Sequence, residues 1–253
     1  MKKFSFLLFV SLLISSYVIA QQVEEKENFT DENKLKQGLW KEKSGRNICK
    51  GFYVDNKKEG NWSTHYPDGM LQRIDYYKND KKDGISIQID QRGYFLVEEH
   101  YKNGYLHGLS KHYRRGGIKK SVINYKNGEY HGLKQVYYDN APGKILESSV
   151  YKNGKKDGIS KWFDQKGTLI AEYHYVNGGL HGMQKTFYEN GQVMSEEIYE
   201  NNSPVAEYKE YHENGQLKLK GSYTEGKRDG KWYEYDEEGN EKATLKYKKG
   251  ELK

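Results

Sequence analysis

The chain has 253 residues, of which 35% are apolar and 31% are charged. Typical soluble domains are about 45–50% apolar, so this composition argues against an ordinary compact globule. The 24 Tyr, 8 Phe and 4 Trp argue against disorder, because disordered segments are poor in aromatic residues. A formal charge of +6 beside 36 acidic residues is a weak imbalance, which does not by itself predict binding to nucleic acid or membranes. The single cysteine, Cys49, excludes an intrachain disulfide.

The first twenty residues, "MKKFSFLLFVSLLISSYVIA", begin with Lys2 and Lys3 and continue as an apolar run that ends in small residues. This pattern predicts a secretory signal peptide at residues 1–20, cleaved after Ala20, and therefore a periplasmic or extracellular protein. The alternative is a membrane anchor, for which the run is short against a hydrocarbon core of about 30 Å. Cleavage would remove two lysines and lower the formal charge from +6 to +4.

The polar segment that follows, residues 21–35, is rich in Glu and Asn and is predicted to be a flexible linker. Residues 36–253 are predicted to form one repeat domain, because three series of residues recur through them every 24 residues. A single interval of 26, between Tyr125 and Tyr151, carries two added residues in "DNAPG", which is predicted to be a turn where an insertion disturbs no strand. The first series is Tyr53, Tyr77, Tyr101, Tyr125, Tyr151, Tyr175, Tyr199, Tyr223 and Tyr247. The second is Gly45, Gly69, Gly93, Gly117, Gly143, Gly167, Gly191, Gly215 and Gly239. The third is Gly60, Gly84, Gly108, Gly132, Gly158, Gly182, Ala206 and Gly230, and Gly38, 22 residues before Gly60, begins a shortened first copy.

Each repeat unit contains two turn signals. The first is Asn-Gly, as in Asn103-Gly104, and it favours a tight hairpin turn because both residues tolerate positive φ. The second ends in a second-series glycine, as in "PDG" and "ENG", and favours a type I turn closed by a left-handed residue. The runs between turns are five to eight residues long and rich in strand formers. The sequence therefore predicts an all-β fold, an elongated single-sheet antiparallel meander of about nine 24-residue hairpin repeats. The Tyr and Gly series are interpreted as structural, with each third-series glycine beneath a neighbouring ring that leaves no room for a Cβ atom.

The pattern Tyr-x-Asn-Gly-x-x-x-Gly, followed by an aromatic residue five positions later, resembles the MORN repeat in its bacterial variant form. The resemblance covers nearly the whole chain after residue 35. It implies an elongated, twisted β-meander and, by analogy, a role in protein scaffolding or membrane contact; proteins of this variant group often carry an antitoxin label. Asp80 and Ala206 depart from the pattern because they replace repeat glycines.

No catalytic constellation is evident in the sequence. His107, His131 and His181 precede third-series glycines, and a metal site would require several such residues to meet, whereas equivalent positions lie about 10 Å apart. The favoured interpretation is a polar turn residue that forms a local hydrogen bond. Cys49, in "NICKGF", is interpreted as a buried inert thiol rather than a nucleophile. No cofactor and no metal are predicted.

Counting from the third-series residue as position 0, alternate positions of a strand face opposite sides of the sheet. Positions 1, 3 and 5 carry most aliphatic residues and are predicted to hold neighbouring strands together. All four Trp are at positions 2 and 4, and therefore on the side of the sheet away from positions 1, 3 and 5. Trp is frequent in binding sites, so the candidate ligand-facing residues are Trp40, Trp62, Trp162, Tyr208 and Trp232. The pattern favours the other interpretation, in which these residues cover the second side of a thin sheet.

The sequence therefore favours a non-enzymatic exported repeat protein that presents an extended sheet surface to an unknown protein partner, in a scaffold or antitoxin-like role. The alternative is attachment to the cell envelope, by binding glycan or lipid through the Trp-bearing face. An enzyme is the third hypothesis. Nucleic acid is not predicted as a partner, because no basic stripe is present.

Overall fold

The structure is a computed structural model that describes residues 27–253. These residues form one open antiparallel sheet of 22 strands and no helix, an elongated meander in which successive strands pair as hairpins. The described residues thus contain no helix able to cross a membrane. The predicted signal peptide, residues 1–20, lies outside the described residues.

The strands follow one another along the chain, and their bounds are as follows. They are β1 (Phe29–Thr30), β2 (Lys36–Ser44), β3 (Asn47–Val54), β4 (Lys57–His65), β5 (Leu71–Lys78), β6 (Lys81–Ile89), β7 (Phe95–Lys102), β8 (Tyr105–Leu106), β9 (Gly108–Arg114), β10 (Ile118–Lys126), β11 (Glu129–Tyr137), β12 (Ile145–Lys152), β13 (Lys155–Phe163), β14 (Leu169–Val176), β15 (Gly179–Leu180), β16 (Gly182–Phe187), β17 (Val193–Glu200), β18 (Ser203–Tyr211), β19 (Leu217–Thr224), β20 (Lys227–Tyr235), β21 (Glu241–Lys248) and β22 (Glu251–Leu252).

The sheet begins inside the segment that the sequence analysis assigned to a linker. Of that segment, residues 21–26 lie outside the described residues. Strand β1 pairs with the start of β2, and the turn between them is closed by the Asp31 carboxylate, which accepts hydrogen bonds from the backbone N–H groups of Asn33 and Leu35. The ordered sheet therefore starts before residue 36.

The first turns have the predicted backbone conformation. Asn103 and Gly104 have φ values of 51° and 87°, and the non-glycine pair Asn79-Asp80 keeps positive φ at 49° and 64°. Positive φ at both central residues matches the twist of the flanking strands. The Gly104 N–H donates to the Lys82 carbonyl at 2.7 Å, and the same bond recurs in other units, so each first turn is joined to the one before it.

The second turns are joined to one another in a similar way along the opposite edge of the sheet. The hydroxyl of Tyr66 donates to the Ile89 carbonyl in the next unit, and Tyr188 donates likewise to Tyr211. The two added residues of "DNAPG" lie in such a turn, between β11 and β12, and the pairing of Gly132 with Tyr151 keeps the register of the other units. The insertion therefore leaves the strand pairing unchanged.

The predicted reason for the third-series glycines is wrong at most positions. At Gly38, Gly60 and Gly230 a Cβ would have no heavy atom within 4 Å, although at Gly84 the Tyr76 side chain would lie 3.1 Å away. The shared requirement is positive φ, from 68° at Gly60 to 148° at Gly84, where the sheet register shifts in a β-bulge. Glycine is favoured because it adopts positive φ without strain. Ala206 takes the same position with φ of 62°.

Burial is concentrated on the Trp-bearing face, rather than on the face of positions 1, 3 and 5 that was predicted to hold neighbouring strands together. The face bearing the first-series tyrosines and positions 2 and 15, here named the tyrosine face, contains Trp232, Ser110, Ser149 and Ser160, each 0% exposed. On the other face, here named the opposite face, Ile85 and Leu133 at position 1 are 37% and 43% exposed. Long aromatic and basic side chains cover the tyrosine face and shield it from solvent, as a second sheet does in a β-sandwich.

Candidate interaction surface

An apolar row runs along the opposite face, where side chains of positions 1 and 16 pair across neighbouring strands. Leu133 lies opposite Val150, and Ile159 lies opposite His174. The row, here named the apolar row, contains Phe52, Tyr76, Ile85, Leu109, Leu133, Val150, Ile159, Met183 and Ile198. Five of its side chains are between 37% and 43% exposed, and these are Phe52, Tyr76, Ile85, Leu133 and Ile159. From β3 to β17 the row spans roughly 60 Å at about 4.8 Å per strand.

Ion pairs between positions 3 and 14 lie beside the apolar row. Lys111 contacts Glu98 at 2.7 Å, and Lys185 contacts Glu196 at 2.7 Å. The hydrogen bond from Lys185 is the main cause that lowers the pKa of Glu196 below 4.5. Such exposed pairs add only about 0–1 kcal/mol to folding stability. An exposed apolar strip with a charged border is the usual anatomy of a protein-binding surface.

The apolar row ends before the C-terminal units. Position 1 there is Glu207, opposite Ser222, and then Lys231, opposite Lys246. Apolar side chains therefore recur at positions 1 and 16 over the first seven units, interrupted by Asn61, His100, Asn124 and His174, and are absent from these positions in the last two.

On the tyrosine face, the aromatic residues predicted to face a ligand fall into separate groups. Trp40 and Trp62 flank Tyr53, with ring centroids 5.7 and 4.9 Å from it. Tyr208 and Trp232 lie 5.6 Å apart at the other end of the sheet. Trp162 packs against Tyr173 at 5.1 Å in a middle unit. The structure brings the members of each group together but keeps the groups apart.

The exposure of these side chains limits what they can contact. Trp62 is 3% exposed and Trp232 is 0% exposed, while Trp40, Trp162 and Tyr208 are half-buried. Trp62 and Trp232 thus have almost no surface left for a ligand, and both act as the covering of the sheet. The physical reason is that long side chains from the neighbouring units extend over them.

Two glycines that the sequence reasoning missed make room for the buried Trp rings. A Cβ on Gly51 would lie 2.3 Å from Trp62 Cδ2, and one on Gly221 would lie 2.1 Å from Trp232 Cδ2. Neither glycine belongs to the three repeat series. The signal was present in the sequence, because each stands two residues before a first-series tyrosine in the units that precede Trp62 and Trp232. Both rings therefore depend on the absence of one side chain in the neighbouring strand.

The middle units fill the same place with a polar network. The carboxylate of Asp75 accepts hydrogen bonds from Ser86 at 2.6 Å and from Arg73 at 3.0 Å, and it forms an ion pair with Lys82 at 2.8 Å. Burial opposes ionisation of Asp75, but the hydrogen bonds from Lys82 and Ser86 outweigh it, so its pKa lies below 3.8. Asp75 is thus a charged and well-partnered residue of the covered face.

Basic side chains at position −2 lie over the aromatic rings of the tyrosine face. The Lys58 ammonium is 4.0 Å from the Trp62 ring centroid, and the Arg228 guanidinium is 4.1 Å from that of Trp232. Lys156 lies 5.1 Å from the Tyr175 ring and 2.8 Å from the Glu147 carboxylate. Cation–π contacts of this kind contribute about 0.5–2 kcal/mol each. The side chains of position −2 therefore complete the covering of the face.

The remaining candidates from the sequence are the His and Asp residues that precede third-series glycines, and Cys49. Asp157, which takes the slot of His107 and His131 in its own unit, accepts a hydrogen bond from the Asn177 N–H, as expected for a polar turn residue. The Nδ1 atoms of His107 and His131 are instead buried without a hydrogen-bond partner, so the predicted local hydrogen bond is not formed at that atom. Within residues 27–253 no group of three or more His, Cys, Asp or Glu is arranged to hold a metal ion. Cys49 is a half-buried free thiol whose Sγ lies 3.6 Å from Thr64 Oγ1.

Comparison with known families connects this geometry to a repeat type. A family model described as the MORN repeat variant matches residues 58–79, 156–177, 180–201 and 204–225. All four matches are in phase, since each starts at position −2 and ends at the first turn. No curated protein matches the chain. MORN repeats are in general repeats for protein or membrane interaction. The chain is therefore a repeat protein that carries MORN repeats of the variant type.

Proposed function

We propose that the protein is an exported, non-enzymatic repeat protein that binds another protein along the apolar row. The observation that carries this proposal is the row itself, with Phe52, Tyr76, Ile85, Leu133 and Ile159 exposed in register across the sheet. Contiguous exposed apolar surface on a soluble protein is a usual mark of an interaction site. The repeat type supports an interaction role, and the proposal of export rests on the pattern of residues 1–20.

A scaffold and an antitoxin-like protein are two forms of this role. In either form the partner would lie along several units, because no single unit exposes enough apolar area to hold it. A stable specific complex buries about 800 Å² on each partner. The proposed partner is therefore a protein with an elongated apolar surface or an extended segment.

Attachment to the envelope through the Trp-bearing face has less support. A ring that stacks on a sugar or enters a membrane must be exposed, whereas Trp62 and Trp232 are 3% and 0% exposed. Lipid or glycan binding stays as an outcome of the experiment below.

The test is capture from envelope extracts of the protein's own cell, with the tagged chain as bait and mass spectrometry as readout. A Leu133→Glu/Ile159→Glu variant places two charges in the apolar row, and we expect it to lose at least about tenfold of the captured partner, since each charge must be buried in the complex. The matched control is Met70→Glu/Tyr94→Glu, which changes exposed residues of the second turns, 44% and 46% exposed.

Equal capture by the two variants would contradict the assignment of the apolar row. Capture of wall or lipid material without a near-stoichiometric protein would contradict the protein-binding role and favour surface attachment. Both variants should retain the circular dichroism spectrum of the unmodified chain, because all four positions are exposed.

A further inference from the structure

One cavity on the tyrosine face differs from the rest of that face. Its volume is about 140 Å³, and its lining includes Tyr173, Gln184, Thr186, Glu197 and Tyr199. A water molecule occupies about 30 Å³ in the liquid, so the cavity has room for a small organic group. The cavity lies on the side of the sheet away from the apolar row and is independent of the function proposed above.

The same region of other units is filled by the chain's own cation. Lys82 lies 4.9 Å from the Tyr101 ring centroid and 2.8 Å from the Asp75 carboxylate. Lys156 lies 5.1 Å from the Tyr175 ring and 2.8 Å from the Glu147 carboxylate. In these units an ammonium group at position −2 thus contacts both an aromatic ring and an acid.

At the cavity the acid has another origin and the cation is missing. Asp75 and Glu147 belong to the unit before their ring, where the cavity has Tyr173, whereas Glu197 belongs to the same unit as Tyr199. Position −2 is Leu180 in this unit and Pro204 in the next, opposite Tyr175 and Tyr199 respectively. Among the described residues Glu197 has no ion-pair partner, and the causes that act on its pKa include no cation. Burial raises the pKa of Glu197 above 4.5, and the hydrogen bond between its carboxylate and the Tyr199 side chain opposes this with a smaller effect.

The residues that could otherwise fill the cavity are held away from it. Gln184, 5% exposed, accepts a hydrogen bond from the His174 N–H and donates to the carbonyls of His174 and Gly182. Thr186 and Ser195 are small and bond to each other at 2.6 Å. The amide of Gln184 therefore does not partner the Glu197 carboxylate.

We propose that this cavity binds an ammonium or guanidinium group of a ligand, held against the rings of Tyr173 and Tyr199 and the carboxylate of Glu197. The bound cation takes the place over the aromatic ring that Lys156 and Lys82 occupy in their own units, and Glu197 of the same unit supplies the acid. Aromatic rings attract cations through their negative faces, and a half-buried carboxylate gains a charge-assisted hydrogen bond. The same chemistry is offered by a free small amine and by a Lys or Arg side chain of a protein.

The experiment is calorimetric titration of the whole chain with n-butylguanidinium and with n-butylurea, a neutral analogue of similar shape. We expect the cation to bind at least about tenfold more tightly than the urea, and Glu197→Gln to remove that preference, since a tenfold change corresponds to about 1.4 kcal/mol. Glu99→Gln is the matched control at the same repeat position, where Lys82 already lies over Tyr101. It should leave the affinity unchanged.

A second variant tests the site without removing the acid. Leu180→Lys places an ammonium group at position −2, as in Lys156, and we expect it to abolish binding of n-butylguanidinium and to raise the melting temperature. Equal affinity for the cation and the urea, or an unchanged preference in Glu197→Gln, would overturn the proposal. So would the absence of binding at millimolar concentrations, or full binding by Leu180→Lys.

The source of the cation is distinguished by a capped Gly-Arg-Gly peptide. Tighter binding of the peptide than of n-butylguanidinium supports a protein side chain as the ligand, since the flanking backbone then contributes contacts. Weaker binding of the peptide supports a free small amine or guanidine.

Discussion

The end units and the middle units of the sheet pack the tyrosine face in two different ways. Near the ends, Trp62 and Trp232 lie over Gly51 and Gly221. In the middle, Ser86 lies opposite Asp75, and Ser160 lies opposite Ser149. In these units position 2 and position 15 of the preceding unit share one volume, which is filled either by one large ring over a glycine or by two small polar side chains. Two other units place large side chains at both positions, with Tyr208 opposite Glu197 and Lys134 opposite Ile123. Each of the two buried Trp rings therefore depends on the glycine of the preceding unit.

The largest expected effect comes from adding one methyl group beneath a Trp ring. Gly221→Ala places a Cβ 2.1 Å from Trp232 Cδ2, and Gly221 is not at positive φ, so the effect is steric. We expect the free energy of unfolding to fall by about 3 kcal/mol, measured by urea denaturation, because a packed ring must move. Adding Trp232→Ser to Gly221→Ala should recover part of the loss. A loss of similar size that Trp232→Ser does not reduce would argue against the shared volume.

The next effect concerns the polar arrangement of the middle units. Asp75→Asn leaves Arg73 and Lys82 without their carboxylate, and we expect a loss of about 2 kcal/mol in the free energy of unfolding, since hydrogen bonds to charged groups contribute about 1.5–3 kcal/mol. The matched control is Glu189→Gln, which removes the exposed ion pair with Lys166. Its stability should equal that of the unmodified chain. Equal effects of the two substitutions would show that burial of Asp75 contributes nothing.

Two substitutions at position 0 are expected to change the free energy of unfolding in opposite directions. Ala206→Gly relieves an alanine held at φ of 62°, and we expect a gain of about 1 kcal/mol. Gly158→Ala places an alanine at φ of 111°, with Val150 Cβ 3.4 Å from the new methyl group, and we expect a loss of about 1–2 kcal/mol. Thermal denaturation of both variants against the unmodified chain measures the difference. The same sign for both would contradict the role assigned to positive φ.

The smallest effects are those of pH on folding stability. Ionisation of an acid with a lowered pKa stabilises the fold, whereas ionisation of an acid with a raised pKa destabilises it. Because the pKa of Asp75 is lowered from 3.8, its contribution to stability is complete above pH 3.8 and is lost as the pH falls below that value. Because burial raises the pKa of Glu197 above 4.5, its charged form weakens the fold at neutral pH. We expect Glu197→Gln to stabilise the chain at pH 7, with the gain vanishing as the pH falls through the raised pKa. Urea midpoints measured from pH 3 to pH 7 test both signs.

The period, the strand pairing and the turn geometry could be predicted from the sequence, because each depends on local residue types. Asn103 and Gly104 are sufficient to indicate a turn with positive φ, and the 24-residue interval fixes which strands are neighbours. The two added residues of "DNAPG" were correctly placed in a turn because a strand could not absorb them without a change of register.

Which face would be covered could not be read from the alternation of side chains. Alternation separates two sets of positions, but in a single-layer sheet each set contains apolar and polar residues. The deciding quantity is the reach of Lys58, Arg228 and the tyrosines over their neighbours, which depends on three-dimensional packing. The roles of Gly51 and Gly221 do not follow from the repeat series, because they are defined by a relation between adjacent units rather than by a single repeat position.

The hydrogen bonds that join consecutive turns on both edges have a consequence for how such a chain changes length. Each bond, such as that from the Gly104 N–H to the Lys82 carbonyl, connects a unit only to its neighbour. Duplication of one unit would therefore recreate all the contacts that it interrupts and would lengthen the sheet by roughly 10 Å. Evolution can in this way adjust the length of the sheet in steps of one hairpin pair, without redesign of any existing unit.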